Sequence, residues 1–280
     1  MKFIRKIRRH GLLRSVKLGG NLAIDLSLAK LSDSFFHRLT AVRRLVIAER
    51  LAVELDNEIH NGIFKGMKLS SLRWGGHDKA PMMLGLYESE VSREIEKAAI
   101  HATTFIDVGA ADGYFAVGAV FSGLYTNSIC FEISSEGRDS IQLNAERNGV
   151  ASRVSILAEA NEETLLKTAK SVNTKDLFIL CDIEGGEFDL FTLRVLQALK
   201  HSTILIEIHD FSETDRKRYL SLKLMAETVF NLSELTQESR NPNILMSTRV
   251  LHDDDKWLMM SEGRPKAMTW LRLSPRPQSS

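Results

Sequence analysis

The chain has 280 residues, 44% of them hydrophobic and 26% charged, which fits one large globular domain with an extension. Its 37 basic and 36 acidic side chains leave a net charge of +1, and aromatic residues make up 7%. That balance excludes a whole-chain nucleic-acid footprint and argues against a base-stacking surface. Cys130 and Cys181 form no CxxC pair and have no zinc-spaced neighbours, so neither a disulfide framework nor a structural zinc is expected, and the chain reads as cytoplasmic.

No apolar run approaches the ~20 residues that span a bilayer. Residues 1–17 carry seven basic side chains and no acid, without the apolar stretch of a secretory signal. Such a segment suits either a solvated arm or peripheral contact with an anionic inner membrane face. Residues 1–61 are expected to be a helical, basic extension. Leu39, Val42, Leu45, Val46 and Val53 recur at helical spacing, and Asn61-Gly62 reads as the stop. Residues 62–89 are expected to hold a short hairpin at 63–69 and then a lid-like loop. In that loop Arg73, Trp74, His77 and Asp78 offer either a sugar-stacking wall or a loop pinned by one buried Trp.

From residue 90 to 275 the pattern becomes strand and helix in alternation. Helical segments are expected at 91–100, 114–124, 135–150, 163–172, 187–200 and 213–230. Strands are expected at 104–110, 127–133, 153–158, 176–183 and 202–210, with late strands at 230–235 and 267–273. Strands apolar throughout and separated by helices predict an α/β fold, a doubly wound Rossmann-like sheet. Residues 276–280 are a tail.

In such a sheet ligands bind beyond the strand C-termini. The first strand runs into Asp107-Val108-Gly109-Ala110-Ala111-Asp112-Gly113-Tyr114. Glycine lets the backbone turn tightly and approach a ligand. The dinucleotide fingerprint is absent, and two carboxylates would repel a pyrophosphate. They suit a ligand with ammonium or sulfonium groups, as in S-adenosylmethionine. Glu132, at the end of the second strand, is placed to accept ribose hydroxyls, and Glu159 after the third strand flanks the adenine position. Helix capping accounts for Asp107 and Asp112 but gives no reason for Glu132.

The fourth strand ends in Asp182-Ile183-Glu184-Gly185-Gly186-Glu187, and the fifth in Glu207-Ile208-His209-Asp210. Three readings stand open. His209 or Asp182, with Glu184 nearby, serves as a general base. Asp182, His209 and Asp210 hold magnesium or manganese. Or these are an N-cap carboxylate and a surface His-Asp pair.

Together FIDVGAADGYFAVG, FEISSEGRDSIQLNAERNGV, LCDIEGGEFDLF and ILIEIHD resemble the FkbM-like family of S-adenosylmethionine-dependent methyltransferases. GIFKGMKL, LGLYESEV and EGRPKAMTWLRLSP extend the likeness to about residues 62–275. Where the family usually has Lys ahead of the Asp-Val-Glu-Gly-Ala-Glu segment, Cys181 stands here. The resemblance implies a Class I methyltransferase sheet and an O-methyltransferase acting on a hydroxyl of a sugar, glycan, glycolipid or related metabolite. It also implies a place for Glu88, after Tyr87, near the methionine end of the cofactor. A catalytically inactive module of the same fold, acting through its basic N-terminus, and a nicotinamide oxidoreductase are the competing classes.

Overall fold

The protein is described here from a computed structural model. It describes residues 33–277, apart from 71–74, 246–247, 250 and 265. Contacts divide the chain into two units, one ending at Arg43 and one spanning Arg44–Ser280. The basic segment 1–17, Arg73 and Trp74 lie outside the described residues.

Helix α1 (Asp33–Glu54) is the first described element. It ends seven residues before Asn61-Gly62, because Asp56 and Asn57 turn the chain at φ of 50° and 54°. Asp and Asn tolerate that left-handed region best among residues with a side chain. Asn61-Gly62 instead permits a close crossing of backbones, since a Cβ on Gly85 would lie 2.0 Å from the Asn61 carbonyl oxygen. The expected hairpin at 63–69 is a run of turns with a single antiparallel bridge between Glu58 and Lys68. Short helices α2 (Lys79–Met83) and α3 (Ser89–Ala98) follow.

The alternating region then builds β1 (Thr104–Val108), α4 (Tyr114–Phe121), β2 (Asn127–Phe131), α5 (Ser135–Arg147), β3 (Val154–Leu157) and α6 (Glu162–Ser171). It continues with β4 (Leu177–Cys181), α7 (Glu187–Leu190), α8 (Leu193–Ala198), β5 (Thr203–Ile208) and α9 (Glu213–Glu227). β6 (Phe230–Thr236), α10 (Asp253–Met259) and β7 (Thr269–Pro275) complete it. The helix expected over 187–200 is two helices. Phe191 leaves helical geometry at ψ 67°, and the Thr192 hydroxyl caps the second by accepting from the Val195 N–H.

The seven strands form one sheet in the order β3-β2-β1-β4-β5-β7-β6. β1 to β5 are parallel, while β7 inserts antiparallel between β5 and β6. This is a doubly wound α/β sheet with an antiparallel edge. Every residue of β4 is buried, as a strand covered on both faces requires. Phe178 and Leu180 pack with α4, and Ile179 and Cys181 with α8 on the other side. The strand order reverses at β1, with β2 on one side and β4 on the other. A crevice therefore opens beyond the ends of Val108 and Cys181, which are register partners.

Asn144 on α5 and Asn148, its C-cap, tie the loop ahead of this crevice to the sheet layer. Asn144 accepts from the Ser70 N–H and donates to the Asp112 carbonyl, both at 2.8 Å. Asn148 bonds both backbone groups of Lys68 at 2.8 Å.

Candidate active site

A cavity of about 600 Å³ occupies the crevice, within the usual range of small-molecule sites. Of the sequence-predicted residues, Glu88, Asp107, Gly109, Ala110, Asp112, Tyr114, Glu132, Glu159, Asp182 and Glu184 line it. Gly113, His209 and Asp210 do not. Nine carboxylates face the cavity, Asp78 and Glu207 among them, and no Lys, Arg or His does among the described residues.

The loop after β1 is built by close backbone approach. Gly109 sits at φ 89°, and a Cβ there would lie 1.7 Å from the Asp182 carbonyl oxygen, so only glycine lets the β1 and β4 loops meet. Ala111 is held at φ 47°, a strained conformation of the kind that clusters at functional sites. Its N–H donates to Glu132 Oε2 at 2.8 Å, and the Ser134 N–H donates to Oε1 at 2.8 Å. Both carboxylate oxygens of Glu132 are thus aimed by backbone, and each keeps a lone pair for a ligand hydroxyl. Asp107 is 3% exposed, and its Oδ2 has no hydrogen-bond partner among the described residues. Burial pushes its carboxyl up to about 7, against the Ala116 N–H and with the charge of Glu132.

At the end of β4, desolvation in the cleft pushes Asp182 up to about 7, opposed by a hydrogen bond from Glu207. Asp182 Oδ1 is buried and without a hydrogen-bond partner. Glu184 turns the chain at φ 53° and leaves its side chain 85% exposed at the mouth. Fully buried Glu187 is a clamp. It accepts from the Gly185 N–H at 2.8 Å and the His209 N–H at 2.9 Å, and lies 3.2 Å from His209 Nδ1.

His209 is 5% exposed and lies behind the cavity wall. Its Nε2 is 3.4 Å from Asp182 Oδ1 and 3.5 Å from Glu184 Oε2. Burial favours its neutral form, but the Glu187 hydrogen bond and the charges of Glu187, Glu207 and Glu184 outweigh it, so its pKa is raised. His209 thus meets the cavity through Asp182 and Glu184, which line it.

Asp210 does not join this group. It pairs with Lys266 and lies 3.9 Å from Arg216. Glu207 takes its place, with ligand atoms of Asp182, Glu207 and His209 within 4.8 Å of one another. Glu207 is already held by the Arg264 guanidinium, whose charge opposes a second cation beside it, so the set does not fit magnesium or manganese.

The sequence reading missed the ion network behind the cavity. Arg264 reaches Glu88 and Glu207 through its two terminal nitrogens and Glu262 through Nε at 3.1 Å. Arg240 pairs with Glu262, and with Glu90 at 3.0 Å. Desolvation raises the pKa values of Glu88 and Glu207 well above the carboxylate range, against the pull of Arg264. One signal was available: Glu207 is a lone charge inside an otherwise apolar strand. Arg264 gave none.

No family model and no curated protein matches the chain. Similar solved structures include a precorrin 8w decarboxylase from Methanobacterium thermoautotrophicum, at 14% identity and TM-score 0.45, covering 66% of this chain and 89% of that one. A ribosomal protein L11 methylase from Lactobacillus delbrueckii subsp. bulgaricus has 15% identity and TM-score 0.45, over 75% of this chain and 86% of that one. An O-methyltransferase from Bacillus cereus in complex with SAH has 12% identity and TM-score 0.43, over 90% and 97%. These likenesses concern the α/β fold and assign no chemistry to this chain.

Proposed function

We propose that the chain is an S-adenosylmethionine-dependent methyltransferase that methylates a hydroxyl of a sugar, a glycan or a related metabolite. The observation that carries the proposal is the pairing of Asp107 and Glu132 at the ends of adjacent parallel strands. One offers a buried, unpaired carboxylate oxygen and the other a carboxylate aimed by two backbone N–H groups. A cavity lined by acids and, among the described residues, by no cation suits a ligand bearing sulfonium and ammonium groups, and repels a pyrophosphate.

S-adenosylmethionine supplies a methyl group already activated on a positive sulfur. Glu132 holds the ribose hydroxyls, Gly109 lets the ligand approach the backbone, and Asp107 faces the ammonium group. Asp182, at the end of the neighbouring strand, takes the acceptor O–H proton as the oxygen attacks. A hydroxyl is a poor nucleophile until that proton leaves, and holding the groups in line supplies much of the remaining acceleration. His209 and Glu187 fix Asp182 and the 184–187 turn.

Thermal denaturation with candidate ligands tests the class. S-adenosylhomocysteine is expected to raise the melting temperature, and NADH to leave it unchanged. Stabilisation by NADH alone would replace this reading with an oxidoreductase. The basic segment 1–17 is proposed to add peripheral contact with anionic lipid. Flotation with anionic liposomes should then fall on its removal, and equal flotation of both forms ends that idea. Among the described residues no helix is long and apolar enough to cross a membrane.

A further inference from the structure

Helix α1 is apolar on two opposite sides. Ile47, Ala48, Leu51 and Ala52 are buried in the hydrophobic core, and a surface helix of a globular domain needs only that one apolar face. On the other side Phe35, Leu39, Val42, Val46 and Val53 are exposed. At 3.6 residues per turn these five fall within an arc of about 60°, turned away from the buried side. With Phe36, six of the fifteen large hydrophobic side chains exposed among the described residues lie on this one helix. They form a stripe, unlike the single exposed side chains that any surface carries.

A second observation is the charge along the stripe. By the same spacing Arg38 falls at one edge and Arg43 and Arg50 at the other, and all three are exposed. Glu49 lies on the Arg38 side, and Glu54 is exposed at the end of the helix. Residues 1–54 carry twelve basic and four acidic side chains, so the stripe belongs to a strongly basic stretch of chain.

Two occupants meet this face differently. A second copy would use Leu39, Val46 and Val53 with Phe35, Val42 and Glu49 as the two core positions of a heptad. The flanking arginines of both helices would then face one another, and in parallel register Glu49 would meet Glu49. An anionic bilayer answers both features. The aliphatic and phenyl side chains enter the boundary below the headgroups, while the arginines reach back to lipid phosphates. We propose that α1 docks in the plane of an anionic membrane surface, with the stripe from Phe35 to Val53 inserted and Arg38 and Arg50 on lipid phosphates. This site is independent of the methyltransferase reading. It differs from the electrostatic contact proposed for residues 1–17 because it requires apolar insertion.

The test is flotation of the full chain with vesicles of phosphatidylcholine alone and of equal parts phosphatidylcholine and phosphatidylserine. Binding is expected to the anionic vesicles and to be weak with phosphatidylcholine alone. Val42 and Val46 are each more than half exposed, so Val42→Asp with Val46→Asp should leave the melting temperature unchanged. That pair should lower binding at least about tenfold, through the apolar burial it removes. Arg38→Glu with Arg50→Glu should also weaken binding and flatten its salt dependence. A nitroxide on Val46→Cys, with Cys130 and Cys181 both buried, should gain accessibility to oxygen when vesicles are added. Equal binding by wild type and the valine variant would overturn the inference and leave the contact of residues 1–17 standing. No binding of the full chain to anionic vesicles would overturn both, and equal binding to the two vesicle types would remove the arginines' role and the inference with it. A dimer by light scattering that the valine variant turns into a monomer would give the face to a second copy. A nitroxide already shielded from water-soluble reagents before vesicles are added would give it to residues 1–32. Either result would also overturn the inference.

Discussion

On the proposed cofactor reading, Asp107 makes affinity depend on pH near neutrality, where an ordinary surface carboxylate is already ionised. Its folded-state pKa is raised from 3.8 to about 7, burial being the largest cause. Below pH 7 the free site is protonated and neutral, and a cationic ligand must displace that proton. Affinity for S-adenosylhomocysteine should therefore rise with pH and level off above neutrality. For one group titrating at 7, the free site is ionised about 3% of the time at pH 5.5 and about three-quarters at pH 7.5, a gain of ~25-fold in affinity. The linkage sign for stability follows. A folded pKa above the unfolded one means that stabilisation is full below about pH 4 and is lost as pH rises through 7, on the order of 4 kcal/mol for this shift. The ligand-free protein should therefore melt at lower temperature at pH 7.5 than at 5.5, and ligand should oppose the loss. Isothermal titration across this range, in paired buffers of different ionisation heat, reads both the slope and the proton released. Asp107→Asn should bind weakly and without the pH dependence. A wild-type affinity that is flat from pH 5.5 to 7.5, or a slope that survives in Asp107→Asn, would refute the reasoning.

Gly109→Ala should cost more than about 3 kcal/mol, because its φ is 89° and its Cβ would lie 1.7 Å from the Asp182 carbonyl oxygen. A melting temperature lowered by less than ~5 °C would contradict that geometry. Arg264→Met should leave Glu88 and Glu207 buried without their cation and destabilise by about 3–5 kcal/mol in chemical denaturation. Arg264→Lys should restore only part, since an ammonium cannot span three carboxylates as a guanidinium fork does; full restoration would show that only the charge matters. His209→Ala should lower turnover while leaving the affinity for S-adenosylhomocysteine nearly unchanged, and should shift the acidic limb of the rate profile by altering Asp182. An unchanged turnover and profile would remove His209 from the mechanism.

The parallel half of the sheet was legible because β1, β2, β4 and β5 are buried on both faces and read as short apolar runs ended by turn residues. β6 and β7 were visible as strands. Their order, with β7 inserted beside β5, comes from long-range pairing that no local pattern records. The helix break at Phe191 was hidden because the Thr192 cap looks like any polar residue on a helical face. Asp56 and Asn57 were passed over for Asn61-Gly62, a stronger turn pair that serves the crossing with Gly85. In the site, Asp107, Glu132 and Asp182 were readable because strand ends in a doubly wound sheet point to the crevice. Arg264 was not, since its partners Glu207 and Glu88 stand 57 and 176 residues away in sequence. His209 was readable as a candidate because imidazole titrates near neutrality; Glu187, which meets its Nδ1 from 22 residues away, was not visible as its partner.

The central claim is that Asp107 and Glu132 form the cofactor site. Titrating S-adenosylhomocysteine into wild type, Asp107→Ala and Glu132→Ala, each shown folded by circular dichroism, tests it most directly. The account predicts micromolar binding at one site per chain, weakened at least about tenfold by either substitution, the increment of a charge-assisted hydrogen bond. No binding by the folded wild type, or binding indifferent to both substitutions, would contradict it.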